Sequence, residues 1–462
     1  MSETVNLSRR TFLQSSTGLT LAALAAARPA TGAIERAPRP NLLLYVVDDL
    51  GMNDAGCYGN AAIKTPGLDR LAAQGTRFAN AYATCATCSA SRSSILTGMQ
   101  NHATAQYGHA HDYHHFRTYE DLPTLPVMLG QAGYRTASAG KFHVAPEETY
   151  RFQQYIKGGS PEQMAEQCRA LFEADGEDPF FLYFCTTEPH RPFVRDGSDE
   201  FSPEEVVVPP YLPDLPETRQ ELAQYYGSVQ RTDRGLMRLL DLLEETGRWE
   251  DTVVMFISDN GIAFPGAKTT VYEPGVHLPC VVRDPSQEQQ GGVSQAFVSW
   301  VDVTPTLLDF ADAVPEKPRY HGRSFRSVLD QEAPEGWDEI YCSQTFHEVT
   351  MYYPMRVVRS GKWKLIWNIA SPLSFPFASD LWESTTWQAV RREGLETYGQ
   401  RKVEEYLHRP AFELYDLEAD PWEANNLAAD PAQAERLATM QQKLRAFQER
   451  TKDPWILKWK HE

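Results

Sequence analysis

The stretch Cys88-Ser-Ala-Ser-Arg-Ser-Ser-Ile-Leu-Thr-Gly98 sets a thiol four residues before an arginine, among small polar side chains, and then turns apolar. Serines and alanines around Cys88 suit a tight loop entering a helix, with Ile95 and Leu96 as buried anchors. A group at a helix entry lies beside unpaired backbone N–H groups and the positive end of the helix dipole. Arg92, one turn later, projects to the same side. This is chemistry for an anion. For the thiol taken alone, simple packing at the head of a helix is the plainer account.

Two acidic pairs stand elsewhere. Asp48-Asp49 follows an apolar run, and Asp259-Asn260 follows another. Neither pair has a thiol or an imidazole in it, and hard oxygen ligands suit Ca²⁺ or Mg²⁺ far better than zinc. An isolated Asp-Asp is more often a turn or a cap, so the metal reading rests on the two pairs meeting. Lys141 and His143 follow a third apolar segment and can face one pocket if the chain stays extended there. His190 follows a fourth, in Glu188-Pro-His-Arg-Pro-Phe193, where prolines on both sides fix its direction.

The elements that must carry these residues are legible from pattern. Asn41–Val47, Tyr134–Ala139, Phe180–Cys185 and Thr252–Ser258 read as buried strands, each ending in one of the polar loops. Helical patterns lie around Gly67–Gln74, at Glu217–Thr246 and at Asp302–Phe310. Strands alternating with helices imply an α/β fold, a largely parallel sheet with helices on both faces, and such sheets bind ligands at the carboxyl ends of their strands. Residues 314–337, rich in proline, glycine and charge, read as a linker. Beyond it, Glu339–Gln344, a hairpin of Met355–Arg359 and Lys362–Asn368, the strand Phe412–Leu417 and an amphipathic helix Pro431–Arg450 make a smaller α+β domain. The expected division is 1–33, 34–336 and 337–462.

The 462 residues carry 44 basic and 62 acidic side chains, a net charge of −18. That balance argues against a sequence-independent grip on nucleic acid. It also favours a small or end-on anionic substrate over a long polyanion lying on the surface. Ser8-Arg-Arg-Thr-Phe-Leu-Gln14, the apolar run Gly18–Ala27 and Ala30-Thr-Gly-Ala33 read as a twin-arginine export signal with a cleavage site. The expected location is periplasmic or secreted, with no membrane span. Because that route carries folded proteins, it allows oxidation of Cys88 in the cytoplasm before export. The cysteines at 57, 85, 88, 168, 185, 280 and 342 are too scattered for a disulfide framework. Cys85-x-x-Cys88 also fits a redox dithiol or half a zinc site, but no second C-x-x-C exists.

The Cys88 stretch as a whole resembles the signature of type I sulfatases, C-x-P-S-R-x-x-x-L-T-G, with Ala90 in place of proline. Gly140-Lys-Phe-His143 and the Pro189-His-Arg-Pro-Phe193 loop match further family patterns. The resemblance implies an alkaline-phosphatase/sulfatase-like fold and a cysteine oxidised to formylglycine by a formylglycine-generating or other maturing enzyme. It implies Ca²⁺ held by Asp48, Asp49, Asp259, Asn260 and the modified Cys88. In the implied mechanism the aldehyde hydrate attacks sulfur, assisted by Arg92, while Lys141 and Lys268 hold the sulfonate. His190 protonates the leaving group, and His143 is the partner for expelling sulfate.

Within the family, the likeness is strongest to the sulfamidase (N-sulfoglucosamine sulfohydrolase) branch. It runs through Gln106–Gly108, Asp112–Phe116, Gly140–Glu147, Asp259–Pro265, Ser343–Arg356, Glu413–Asp416 and Asp453–Trp455. Lys268 stands where that branch has arginine, which keeps the charge but loses the bidentate fork. The 191–210 loop and the 368–400 region differ. The resemblance implies a sulfated saccharide as substrate, with Asp112, His115, Arg191, His347, Glu348 and Arg356 as candidate sugar contacts. Each also has a structural reading: Asp112 and His115 as local caps or pairs, and Glu348–Arg356 as a salt bridge joining domains. An O-sulfatase, or a phosphonate or phosphodiester hydrolase of the same superfamily, remains open, as does a homodimer.

Overall fold

The structure, a computed structural model, describes residues 39–176, 178–193 and 201–461. The expected export signal lies outside the described residues. The central strand is β1 (Asn41–Val47), all seven residues of which are buried. Leu43, Tyr45 and Val47 face one layer, and Leu42, Leu44 and Val46 the other, as a period of two demands. Each such apolar side chain contributes about 1.5–3 kcal/mol on full burial. Helices on both faces provide that burial. The long helix Pro216–Glu245 packs Leu236, Leu239 and Leu243 on one side, and Val303–Phe310 packs Leu307 and Leu308 on the other.

Seven more strands complete the sheet: β2 (Thr76–Tyr82), β3 (Arg135–Gly140), β4 (Gln154–Ile156), β5 (Phe180–Cys185), β6 (Thr252–Ser258), β7 (Cys280–Arg283) and β8 (Gly292–Ser299). Their order is β4-β3-β5-β1-β6-β7-β2-β8. All neighbouring pairs are parallel except those of β7, which runs antiparallel to β6 and to β2. Register sets the carboxyl ends level. Val46 lies opposite Cys185, Val47 opposite Ser258, and Gly140 opposite Cys185. Asp48, Lys141, Thr186 and Asp259 therefore leave the sheet side by side.

β1, β5 and β6 coincide with the expected strands, and β3 is shifted by one residue. Pattern reading does not reveal β2, β4, β7 and β8. The segment 314–337 holds only one short 3₁₀ turn, Arg326–Val328. Beyond it, β9 (Glu339–Gln344), β10 (Met355–Ser360), β11 (Trp363–Asn368) and, after a small ribbon of β12 (Thr397–Tyr398) and β13 (Arg401–Lys402), β14 (Phe412–Asp416) follow. Four of these form an antiparallel sheet in the order β14-β11-β10-β9. The helix Ala434–Thr451 covers it with Met440 and Leu444 against Val358, Leu365 and Leu414. Arg39–Glu462 forms one compact unit holding both sheets. No helix among the described residues is long and apolar enough to cross a membrane.

Candidate active site

Cys88 is the first residue of the helix Cys88–Thr97, with Thr87 as an extended N-cap and Gly98 closing the other end. The Ser91 hydroxyl donates to the Asp259 carbonyl at 2.6 Å and ties this helix to the end of β6. The Cys88 thiol is fully buried, 3.9 Å from Asp49 Oδ1. Burial pushes it well above the ordinary thiol range, although Lys141 and Lys268 oppose the shift. An unmodified thiol here stays protonated and is a poor nucleophile.

Three carboxylates and three cations surround it. Arg92, with no exposed surface, donates from Nε to Asp259 Oδ2 at 2.9 Å, from Nη1 to the Lys141 carbonyl at 3.3 Å, and has Nη2 3.6 Å from Asp48 Oδ1. Lys141 Nζ lies 2.6 Å from Asp48 Oδ2. Lys268 Nζ lies 2.9 Å from Asp49 Oδ2 and 2.9 Å from His190 Nε2. Charges so deeply buried survive only when paired. Burial raises the Asp259 carboxyl to about 7 despite Arg92. Burial alone would raise Asp48 too, but Lys141, His190 and Arg92 outweigh it and hold that carboxyl far below the usual range.

The backbone is bent to make this arrangement. Asp49 takes a φ of 70°, in the left-handed region that non-glycine residues seldom adopt. Its N–H donates to Asp259 Oδ1 at 3.1 Å, and its own Oδ1 accepts from Asn260 Nδ2 at 2.5 Å. Gly140, at φ 78°, turns the chain from β3 into Lys141, and a Cβ there would sit 2.0 Å from the Cys185 carbonyl oxygen. Gly140→Ala is expected to lower stability by about 2–4 kcal/mol, combining the positive φ with overpacking. Urea denaturation reads it directly.

A hard dication fits the donor set. Oδ1 of Asp48 and Oδ1 of Asn260 are buried without a hydrogen-bond partner among the described residues. Ligand atoms of Asp48, Cys88 and Asp259 lie within 4.8 Å of one another. Oxygen donors dominate, which is the chemistry of Ca²⁺ or Mg²⁺.

The two histidines differ. His190 Nδ1–H donates to the Arg191 carbonyl, which leaves Nε2 toward Lys268 and, at 3.9 Å, Asp49 Oδ2. Burial and Lys268 push its pKa down. His143 takes a φ of 54°, and neither of its buried ring nitrogens has a hydrogen-bond partner among the described residues. Burial and Lys141 push His143 well below the ordinary histidine value.

The candidate sugar contacts separate into groups. Glu348 accepts from the Ser379 N–H and hydroxyl at 2.8 and 2.7 Å, on the wall of an open cleft of about 1030 Å³ flanked by Phe377, Trp382 and Arg391. Asp112 and His115 lie exposed on one loop, where Asp112 Oδ2 is 2.7 Å from His111 Nδ1. Arg191 forks onto Glu221 at 2.7 and 3.1 Å and stacks on Phe193 and Phe264. His347 is buried between Thr87 Oγ1, 3.2 Å from Nδ1, and His109 Nε2, 2.9 Å from Nε2. Arg356 is buried on Asp453, at 2.6 and 3.1 Å. A Glu348–Arg356 salt bridge is not formed, because each has these other partners.

One residue of the site escaped sequence reasoning. Asp380 Oδ2 lies 3.1 Å from Lys268 Nζ, and that ammonium group holds its carboxyl below the usual range against burial. It sits in the four-residue helix Ser379–Trp382, whose first residue binds Glu348. That short turn joins the cleft wall to the charge cluster.

The sulfatase family model matches residues 40–313. The chain belongs to the sulfatase family of enzymes, with the mixed, largely parallel sheet of the alkaline-phosphatase/sulfatase-like fold. A second model, the C-terminal region of N-sulphoglucosamine sulphohydrolase, matches residues 266–383. The N-sulphoglucosamine sulphohydrolase of Homo sapiens is 36% identical over 463 residues, covering 91% of this chain and 92% of its own. Among solved structures, one in complex with its substrate D-glucosamine-2-N,6-O-disulfate aligns with a TM-score of 0.68 at 22% identity, over 90% of this chain and 98% of its own. The phosphonate monoester hydrolase of Agrobacterium radiobacter aligns equally well, with a TM-score of 0.68 at 19% identity, over 89% and 96%. The two structural likenesses speak to the fold alone.

Proposed function

We propose that this chain is an exported, exo-acting N-sulfoglucosamine sulfohydrolase that uses Ca²⁺ and a formylglycine made from Cys88. The observation that carries the reaction type is Cys88 at a helix entry, inside a buried cluster of three carboxylates and three cations with two unpartnered oxygens. The 36% identity through both sheets supports the substrate assignment. In this reading residues 34–336 hold the chemistry, residues 337–462 shape the cleft, and the twin-arginine stretch directs export to the periplasm or beyond.

When bound, calcium polarises the sulfonate and the oxidised Cys88 supplies the nucleophilic oxygen. The remaining work falls to side chains. Asp48, Asp49, Asp259 and Asn260 hold the ion. Lys141 and Lys268 neutralise the sulfonate oxygens, and because their ammonium groups are already fixed by Asp48 and by Asp49 and Asp380, little reorganisation is needed. Arg92 holds the Asp48 and Asp259 carboxyl groups in place. His190 Nε2 delivers the proton to the leaving amine, and His143, neutral at pH 7, accepts one when sulfate departs. Glu348, Asp112 and His115 meet the sugar. Arg191, His347 and Arg356 hold the surrounding walls through their protein partners.

The test is release of sulfate from N-sulfoglucosamine, glucosamine 6-O-sulfate and an aryl phosphate diester. We expect N-sulfoglucosamine to lead by at least about 100-fold in kcat/KM, a difference of about 2.7 kcal/mol. Preference for either of the others overturns the assignment.

A pH dependence follows from His190. Proton delivery needs its charged form, which burial and Lys268 disfavour, so the descending limb of kcat/KM lies below the ordinary value of about 6.5. Removing the positive neighbour favours the protonated ring. In Lys268→Met the limb therefore moves to higher pH, even as the rate falls. A limb that stays put in the pH–rate profile shows that another group donates the proton.

A further inference from the structure

We propose that His109, His111 and His143 form a second metal site, for a borderline transition ion such as Zn²⁺ or Cu²⁺, and that filling it stops turnover. One ring nitrogen from each lies within 4.8 Å of the others. The rings gather closely, with centroids 4.8 Å apart for His109–His111, 5.0 Å for His109–His143 and 4.7 Å for His111–His143.

The hydrogen bonds around the cluster set the tautomers. The Thr87 hydroxyl places its proton on the Phe346 carbonyl at 3.4 Å, so His347 Nδ1–H points to Thr87 Oγ1, its Nε2 accepts from His109 Nε2–H, and His109 Nδ1 is left bare. That Nδ1 is buried and without a partner among the described residues, as are both nitrogens of His143. His111 Nδ1–H goes to the Asp112 carboxylate, which leaves Nε2 as its free nitrogen. Carboxylate and imidazole partners of this kind orient ligating histidines and raise their basicity. Burial keeps His109 and His143 deprotonated at neutral pH, as ligation requires.

Tetrahedral zinc, at about 2.0–2.1 Å from each nitrogen, places its ligands about 3.4 Å apart. Closing from 4.8 Å asks the nitrogens to approach by up to about 1.4 Å, and rings now 30°, 22° and 25° from parallel must also turn so that their in-plane lone pairs converge. His111, with 48% of its side chain exposed, is free to supply it. The backbone of His109 is already held, its N–H on the His347 carbonyl at 2.9 Å and its carbonyl on the Phe116 N–H at 3.1 Å. Three imidazoles select zinc, copper or nickel, whereas the Asp48 cluster selects a hard oxygen-loving ion. The protein thus separates two cations by ligand chemistry. Lys141 and Arg92 beside His143, and Lys268 toward His109, repel a dication there, and Asp48 and Asp112 offset part of that repulsion.

The binding claim stands on this geometry alone. The loss of turnover rests on the role given to His143 above. The experiment titrates the calcium-loaded full chain with Co²⁺ as a visible probe and then with Zn²⁺, in parallel with sulfate release. Expected are cobalt–imidazole absorption bands saturating at one equivalent, displacement by zinc, and zinc inhibition reversed by a chelator followed by calcium. His111→Gln and His109→Leu should each weaken cobalt binding at least tenfold and shift zinc inhibition by the same factor. Cobalt affinity equal in wild type and both variants overturns the site. Histidine-dependent cobalt binding with turnover intact upholds the site and overturns the switch. Because the spectra need no substrate, the site is judged apart from the substrate assignment.

Discussion

Cys88→Ala loses sulfate release by about 10⁴-fold or more while remaining folded. Nucleophiles that begin a covalent sequence carry losses of that order when removed. The fold survives because the change deletes one sulfur from a buried position, a cost of about 1–2 kcal/mol at most. Ion chromatography of released sulfate gives the rate, and a urea titration gives the stability. Mass spectrometry of the wild-type peptide over Cys88 completes the experiment, since the thiol is too buried and too weakly acidic to act unmodified. Turnover by the alanine variant within tenfold of wild type, or an active wild type carrying only the thiol, removes the mechanism.

Asp259→Ala has the second largest effect, and it strikes activity and stability together. Asp259 Oδ2 receives Arg92 Nε at 2.9 Å, its Oδ1 accepts from the Asp49 and Asn260 N–H groups at 3.1 and 2.8 Å, and it stands in the metal donor set. Its loss leaves a fully buried guanidinium with Asp48 as its one nearby carboxylate, at 3.6 Å. Breaking a buried pair on one side costs about 3–5 kcal/mol. We expect that loss in urea denaturation and a fall in kcat/KM of about 10³-fold or more, as for other electrostatic preorganisation. Excess calcium does not restore the rate. Asp259→Asn, which keeps an acceptor for Arg92 but turns its NH₂ onto the Asp49 and Asn260 N–H groups, recovers part of the stability and less of the activity. Full activity in the alanine variant excludes Asp259 as a metal ligand.

Much of this was readable in the chain because burial and chemistry coincide there. Continuous apolar runs made β1, β5 and β6 visible, and each runs into a loop that carries candidate site residues. The strands that went unseen lack that signature. Thr76–Tyr82 reads Thr-Arg-Phe-Ala-Asn-Ala-Tyr, with three half-buried positions, and Gly292–Ser299 is similarly mixed. β7 has four residues, too short for any period to register, yet its antiparallel course makes the sheet mixed. Among side chains, the limit was long-range pairing. Nothing near Arg356 marks Asp453 as its partner 97 residues on, and nothing near Lys268 marks Asp380. Asp380 lies in a helix of one turn, too short for any spacing to register.

The complete enclosure of Cys88 has a consequence for the protein's life history. A side chain with no accessible surface, beside a lysine that Asp380 holds from much later in the chain, cannot be gripped by another macromolecule once the chain has packed. For the oxidation proposed above, the catalyst must therefore reach Cys88 during or just after synthesis, before the later segment docks. Conversion would then be a race against folding, and the yield of working enzyme would depend on how slowly that door shuts.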